Sequence, residues 1–193
     1  MGAVTVDRAG AGSWSVALTA WAMIGGALLQ VVLGFPLAAH QDPSSPVFGL
    51  IATLNAVSHL LLLAGMVGLA RSGAAGRDRL AVGGLGLTLL GLAMLVVAEA
   101  VWLSGQGDPG ALYGVATLAL GLGPILAGVA VIRAGRWGGW RRFTLLACGL
   151  YVPLALLPSM ALPGPAMNYA IGLWGVCWLL LGVALRSAAT EAS

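Results

Sequence analysis

Two ionisable side chains, His59 and Glu99, stand inside long runs of mostly apolar residues. An imidazole and a carboxylate in such surroundings could exchange a proton, bind a cation or hold a polar headgroup. Burial disfavours charge on either group, and pairing favours it. Asn55 lies four residues before His59 and so falls on the same face of a helix. Gln30 is a further amide within an apolar run. Ionisable groups in apolar spans are costly, and a functional site is their default reading. Gln30, Asn55, His59 and Glu99 are therefore the candidate ligand-binding residues. The competing reading is structural: such groups fasten neighbouring helices, each contact contributing about 0.6 kcal/mol on average.

Other chemistries lack the residues they need. The chain has only two histidines, His40 and His59. A His-rich metal site is thereby excluded, and bis-His haem ligation would need two residues of very different depth. Cys148 and Cys177 form no CxxC pair and read as small packing residues. The stretch Gly121-Leu122-Gly123-Pro124 has no serine for an intramembrane serine protease. No HExxH, P-loop or dinucleotide-binding fingerprint appears. The sequence leans against an enzyme, and it calls for no cofactor and no metal.

The elements that must position the four residues follow from hydropathy. Of 193 residues, 60% are hydrophobic and 8% are charged, with a mean hydropathy of +0.98. A soluble domain carries about 25% charged residues, so this chain has too little polar surface to cover a water-exposed core. Its apolar runs of about 20 residues match a hydrocarbon layer about 30 Å thick. The expected fold is an all-α polytopic membrane bundle in one domain. Its six spans are residues 14–35, 47–70, 80–104, 111–132, 143–161 and 166–185. The first run is longer than a signal-peptide core and is expected to stay as a span. Turn-rich segments separate the spans, with Pro36, Pro43 and Pro46 in the first loop and Gly105-Gln106-Gly107-Asp108-Pro109-Gly110 in the third. Such short loops make consecutive helices antiparallel neighbours.

Charge orients the spans. All nine basic residues are arginines: Arg8, Arg71, Arg77, Arg79, Arg133, Arg136, Arg141, Arg142 and Arg186. With alternating spans they all fall on one side, and the opposite loops hold only Asp42 and Asp108. Basic loops stay in the cytoplasm, so both termini are expected inside, in the inner (plasma) membrane of a bacterium. The all-arginine bias with 30 glycines fits a GC-rich bacterial genome. The net charge of +3 is explained by orientation and lipid contact, not by nucleic acid. Trp14, Trp137 and Trp140 are expected at the inner boundary, and Phe35, Phe48, Trp102, Tyr113 and Tyr169 at the outer one.

Counting along the spans, His59 lies about 18 Å from the outer end of span two. Glu99 and Gln30 lie about 8 and 9 Å below the outer ends of theirs. The polar set therefore belongs to the middle and outer membrane. Small residues mark expected helix contacts: Ala22, Gly26 and Gly34 in span one, Gly84, Thr88 and Gly91 in span three, and Ala119, Gly123 and Ala127 in span four. Pro124, Pro153 and Pro158 should kink their helices or free carbonyls. Leu63-Ala64-Gly65 before Arg71-Ser72-Gly73 echoes Leu126-Ala127-Gly128 before Arg133-Ala134-Gly135. The echo fits an old duplication or two helices with the same stop signal.

The run His59-Leu60-Leu61-Leu62-Leu63-Ala64-Gly65-Met66-Val67-Gly68-Leu69-Ala70-Arg71, followed by Val97-Ala98-Glu99-Ala100, resembles a type of uncharacterised small bacterial membrane protein. The likeness covers spans one to three and implies a six-helix membrane protein without implying an activity. Two functions are open at this level. One is binding or transport of a small solute or proton through an outward-facing polar cluster. The other is a non-catalytic subunit that assembles with a second copy or a membrane partner. The bilayer, and a small-molecule or lipid ligand, are the expected contacts.

Overall fold

The computed structural model describes residues 8–40 and 45–191. Asp7 and Asp42 lie outside the described residues, as do the side chains of Arg8 and Trp14. Six helices are long and apolar enough to cross a membrane, and no strand occurs among the described residues. They are α1 (Arg8–Gly34), α2 (Phe48–Ser72), α3 (Arg79–Ser104), α4 (Gly110–Ala134), α5 and α6 (Ala166–Glu191). We use α5 for the stretch that opens as Thr144–Tyr151, passes through a π-helical turn at Val152–Leu156 and closes with Leu157–Ser159.

Helix ends and apolar boundaries differ at the termini. Helix α1 opens at Arg8, six residues before the expected span, and α6 runs through Arg186 to Glu191. A helix satisfies its own backbone hydrogen bonds in water as well as in lipid, so it need not stop where hydropathy does. Inside the chain the stops are local. Asp78 caps α3, its carboxylate accepting from the Ala81 N–H at 2.7 Å. Helices α2 and α4 end on Gly73 and Gly135, at φ of 70° and 64°, where a side chain would strain the backbone. The echo noted in the sequence thus ends in two similar caps.

Each helix packs against the next in chain order, and α6 closes against α1. Registers are antiparallel and set by small residues. On α1, Gly26 faces Ser58 and Leu61 of α2, whereas Gly34 abuts Gly172 of α6. The expected stripe on span one therefore divides between two neighbours. On α3, Gly84 abuts Ala127 of α4, and Gly91 lies against Ala116, Ala119 and Leu120. Reciprocally, a Cβ on Gly123 would stand 2.7 Å from the Thr88 nitrogen. Gly149 of α5 sits as closely on α4, 2.6 Å from the Ile125 nitrogen by the same measure. Outward faces are apolar, with Leu18, Leu28 and Val32 on α1, Val82, Leu90 and Val97 on α3, and Leu118 and Leu122 on α4 all exposed. A bundle with such a surface needs lipid around it.

The prolines act differently from one another. Helix α4 continues through Pro124 without a break. In α5, Pro153 has no N–H to offer the Gly149 carbonyl, which instead receives the Val152 N–H. The Cys148 carbonyl then accepts from Trp174 Nε1 of α6 at 2.8 Å. A freed carbonyl has become the polar tie between α5 and α6.

All the arginines of the loops and of the last helix gather at one end of the bundle, which we call the arginine-rich end. Arg136 bonds the Gly73 carbonyl at 2.7 Å, and Arg141 pairs with Glu191 at 2.9 Å. Arg186 stacks over Trp21, its guanidinium carbon 4.1 Å from the ring centre. At the other end the five expected boundary aromatics form two clusters. Phe35 stacks on Tyr169, while Phe48, Trp102 and Tyr113 form a chain with ring centres 5.3 and 5.8 Å apart.

Candidate functional site

His59 and Glu99 meet between α2 and α3. Helix α3 turns its small residues Gly84, Thr88 and Gly91 toward α4, and the same buried side continues through Leu95 to Glu99. On α2, Gly65 and Gly68 face α1, and His59 is buried against α3. Nδ1 of His59 stands 3.9 Å from Oε1 of Glu99, and the two residues are 6% and 5% exposed. That separation is too long for a hydrogen bond, and His59 Nδ1 has no hydrogen-bond partner.

Residue counting along separate helices places the pair about 10 Å apart in depth. The two meet nonetheless, because counting cannot see how one helix is staggered or tilted against the next. Tyr113 completes the group from α4, its hydroxyl standing beside the Glu99 carboxylate. The sequence reading placed Tyr113 only in the boundary belt. A signal was available: Glu99 and Tyr113 stand about one turn from the same short loop, on opposite arms of an antiparallel hairpin. Through Tyr113 the carboxylate is joined to the aromatic chain with Trp102 and Phe48.

The other two candidates occupy different surroundings. Gln30 is 1% exposed, and its Cβ lies on the α6 side, where Gly175 packs onto it. Its Oε1 is buried without a partner. Asn55 is half-buried on α2, one turn from His59. Among the described residues, no hydrogen bond or ion pair joins Gln30 or Asn55 to His59 or Glu99. Trp178, which the sequence reading did not single out, is fully buried beside Trp174 and leaves its Nε1 without a partner. Ser58, next to His59, donates to the Gly26 carbonyl at 2.8 Å and ties α2 to α1.

Among the described residues four buried polar atoms thus lack partners: Gln30 Oε1, His59 Nδ1 and Trp178 Nε1 on three helices, and Ser45 Oγ just before α2. Native interiors leave few such atoms, and each calls for an explanation such as catalysis, water or an ion. Only His59 and Glu99 stand together as a titratable pair; Gln30 and Trp178 lie apart from it. Among the described residues no cluster of three His, Cys, Asp or Glu could hold a metal ion. Comparison with known protein families, curated proteins and solved structures finds no match to this chain.

Proposed function

We propose that this chain is a small protein of a bacterial inner membrane that binds and exchanges a proton, or a small polar solute, at His59 and Glu99. Both termini lie in the cytoplasm, in keeping with the positive-inside rule, so the Glu99 end of α3 faces the outer side. The resemblance over spans one to three is in keeping with this setting. One observation carries the reading. A buried imidazole nitrogen without a hydrogen-bond partner stands 3.9 Å from a buried carboxylate oxygen. Such a pair can hold a proton on either member, and a small rotation of either side chain brings them into bonding distance. Glu99 keeps a second contact through Tyr113 while His59 moves.

The close packing over the pair favours a second reading, in which it only fastens α2 to α3 inside a non-catalytic assembly subunit. Infrared titration of the reconstituted protein separates the two. The proposal expects a carboxyl band that titrates with pH, vanishes in Glu99→Gln and shifts its midpoint in His59→Gln. Proteoliposomes with an internal pH dye and an imposed membrane potential should lose proton flux in the same variants. A carboxyl band that never titrates, with both variants differing from the parent only in thermal stability, selects the fastening reading.

A further inference from the structure

The arginine-rich end carries a second feature, independent of His59 and Glu99. The turn between α2 and α3 folds onto the last turn of α4, held there by Arg136, whose Nη1 donates to the Gly73 carbonyl. Between them is a cleft of about 350 Å³ lined by Ala75, Gly76, Arg77, Asp78, Ala130, Arg133, Ala134 and Arg136. Three arginines thus line a small space that also has alanines, a glycine and Asp78 in its wall. Like charges brought together repel, and here little inside the protein offsets them. Asp78 spends one oxygen on the Ala81 N–H, and no ion pair joins it to an arginine among the described residues. Elsewhere at this end Arg141 has Glu191, Arg142 has Phe143 and Arg186 has Trp21, whereas Arg71 and Arg79 have no such partner among the described residues and lie outside the cleft lining. Arg77 and Arg133 have neither an ion pair nor an aromatic partner among the described residues.

We infer that this cleft binds a phosphate group, held by Arg77 and Arg133 with Arg136 fixing the wall. Guanidinium forks match phosphate oxygens in pairs. Depth fits a lipid source: α4 has 25 residues and is about 37 Å long, so its ends emerge from a hydrocarbon layer about 30 Å thick into the headgroups. Basic pockets between spans at that level take anionic headgroups. A soluble phosphate compound would present the same chemistry.

The test uses the delipidated full-length protein in a neutral detergent. Its thermal unfolding is followed with added phosphatidylglycerol, phosphatidylcholine, inorganic phosphate or sodium chloride. Selective protection by phosphatidylglycerol assigns the lipid source, and equal protection by inorganic phosphate assigns the soluble one. The double variant R77Q/R133Q should weaken that binding about tenfold more than R71Q/R79Q, the weight of one charge-assisted hydrogen bond. The latter pair removes equal charge outside the cleft lining. The arms on the unaltered protein stand even if a variant fails to fold. The inference is overturned if neither anion protects beyond phosphatidylcholine and chloride, or if R71Q/R79Q loses as much as R77Q/R133Q.

Discussion

The seam between α3 and α4 and the seam between α2 and α3 share one helix but are built on opposite principles. Along the first, Gly84 and Gly123 let two backbones approach until an added Cβ would strike backbone atoms, and at Gly91 it would strike the Leu120 side chain. Along the second, the glycines of both helices face elsewhere, and a histidine and a glutamate meet at 3.9 Å without a hydrogen bond. Lipid supplies no hydrophobic drive between helices, so a seam holds by close contact or by polar contact. Close contact is rigid and chemically silent. The polar seam carries groups that have alternative protonation states. Helix α3 thus has one side that fixes it and one end that can respond.

The largest expected effect breaks the rigid seam. Gly84→Leu should cost about 3 kcal/mol or more, because the facing atoms are backbone and cannot move aside like a flexible side chain. Unfolding in detergent with increasing denaturant would measure it. A loss under 1 kcal/mol would mean that α3 and α4 are free to separate.

Next comes the tie between α5 and α6. Trp174→Phe leaves the Cys148 carbonyl buried without its donor, which should cost about 1–3 kcal/mol. Thermal unfolding reads this directly, and a neutral result would show that the π-helical turn can re-form ordinary bonds.

At the polar seam, Glu99→Gln keeps size and an acceptor for Tyr113. It should therefore change stability by less than about 1 kcal/mol while abolishing carboxyl titration. A double-mutant cycle with His59→Gln sharpens the comparison. Coupling near 0.6 kcal/mol, the average for polar contacts in membrane bundles, is the value for a neutral pair. Removing one partner of a charged buried pair costs about 3–5 kcal/mol instead.

The smallest expected effect is Ser58→Ala. It removes the bond to the Gly26 carbonyl and should cost about 0.6 kcal/mol. A much larger loss would show that α1 and α2 rest on this hydroxyl more than on the glycine contacts beside it.

How much of the site was legible can be judged residue by residue. His59 and Glu99 stood out because charge-bearing side chains are rare in apolar runs, and both are buried as that rarity suggests. The grouping of four was not legible. Gln30 lies toward α6 and Asn55 is only half-buried, and neither is tied to the pair. Periodicity assigns a residue to a face of its own helix, but it does not say which neighbour that face meets. Gly26 and Gly34 show the same limit, since one stripe serves two partners. Tyr113 was hidden by its type, because a tyrosine near a helix end has an ordinary boundary role.

The sequence by itself determined the number of long apolar helices, their antiparallel order and the gathering of the loop arginines at one end of the bundle. These depend on composition and short-range spacing, and lipid acts as a uniform solvent that reads hydropathy directly. The tertiary structure alone decided how neighbouring helices are staggered, that α6 closes on α1, and that His59 stands across from Glu99. Those outcomes depend on stagger and side-chain fit between segments far apart in the chain. Energies of a fraction of a kcal/mol per contact add up to a register only when all six helices are packed together.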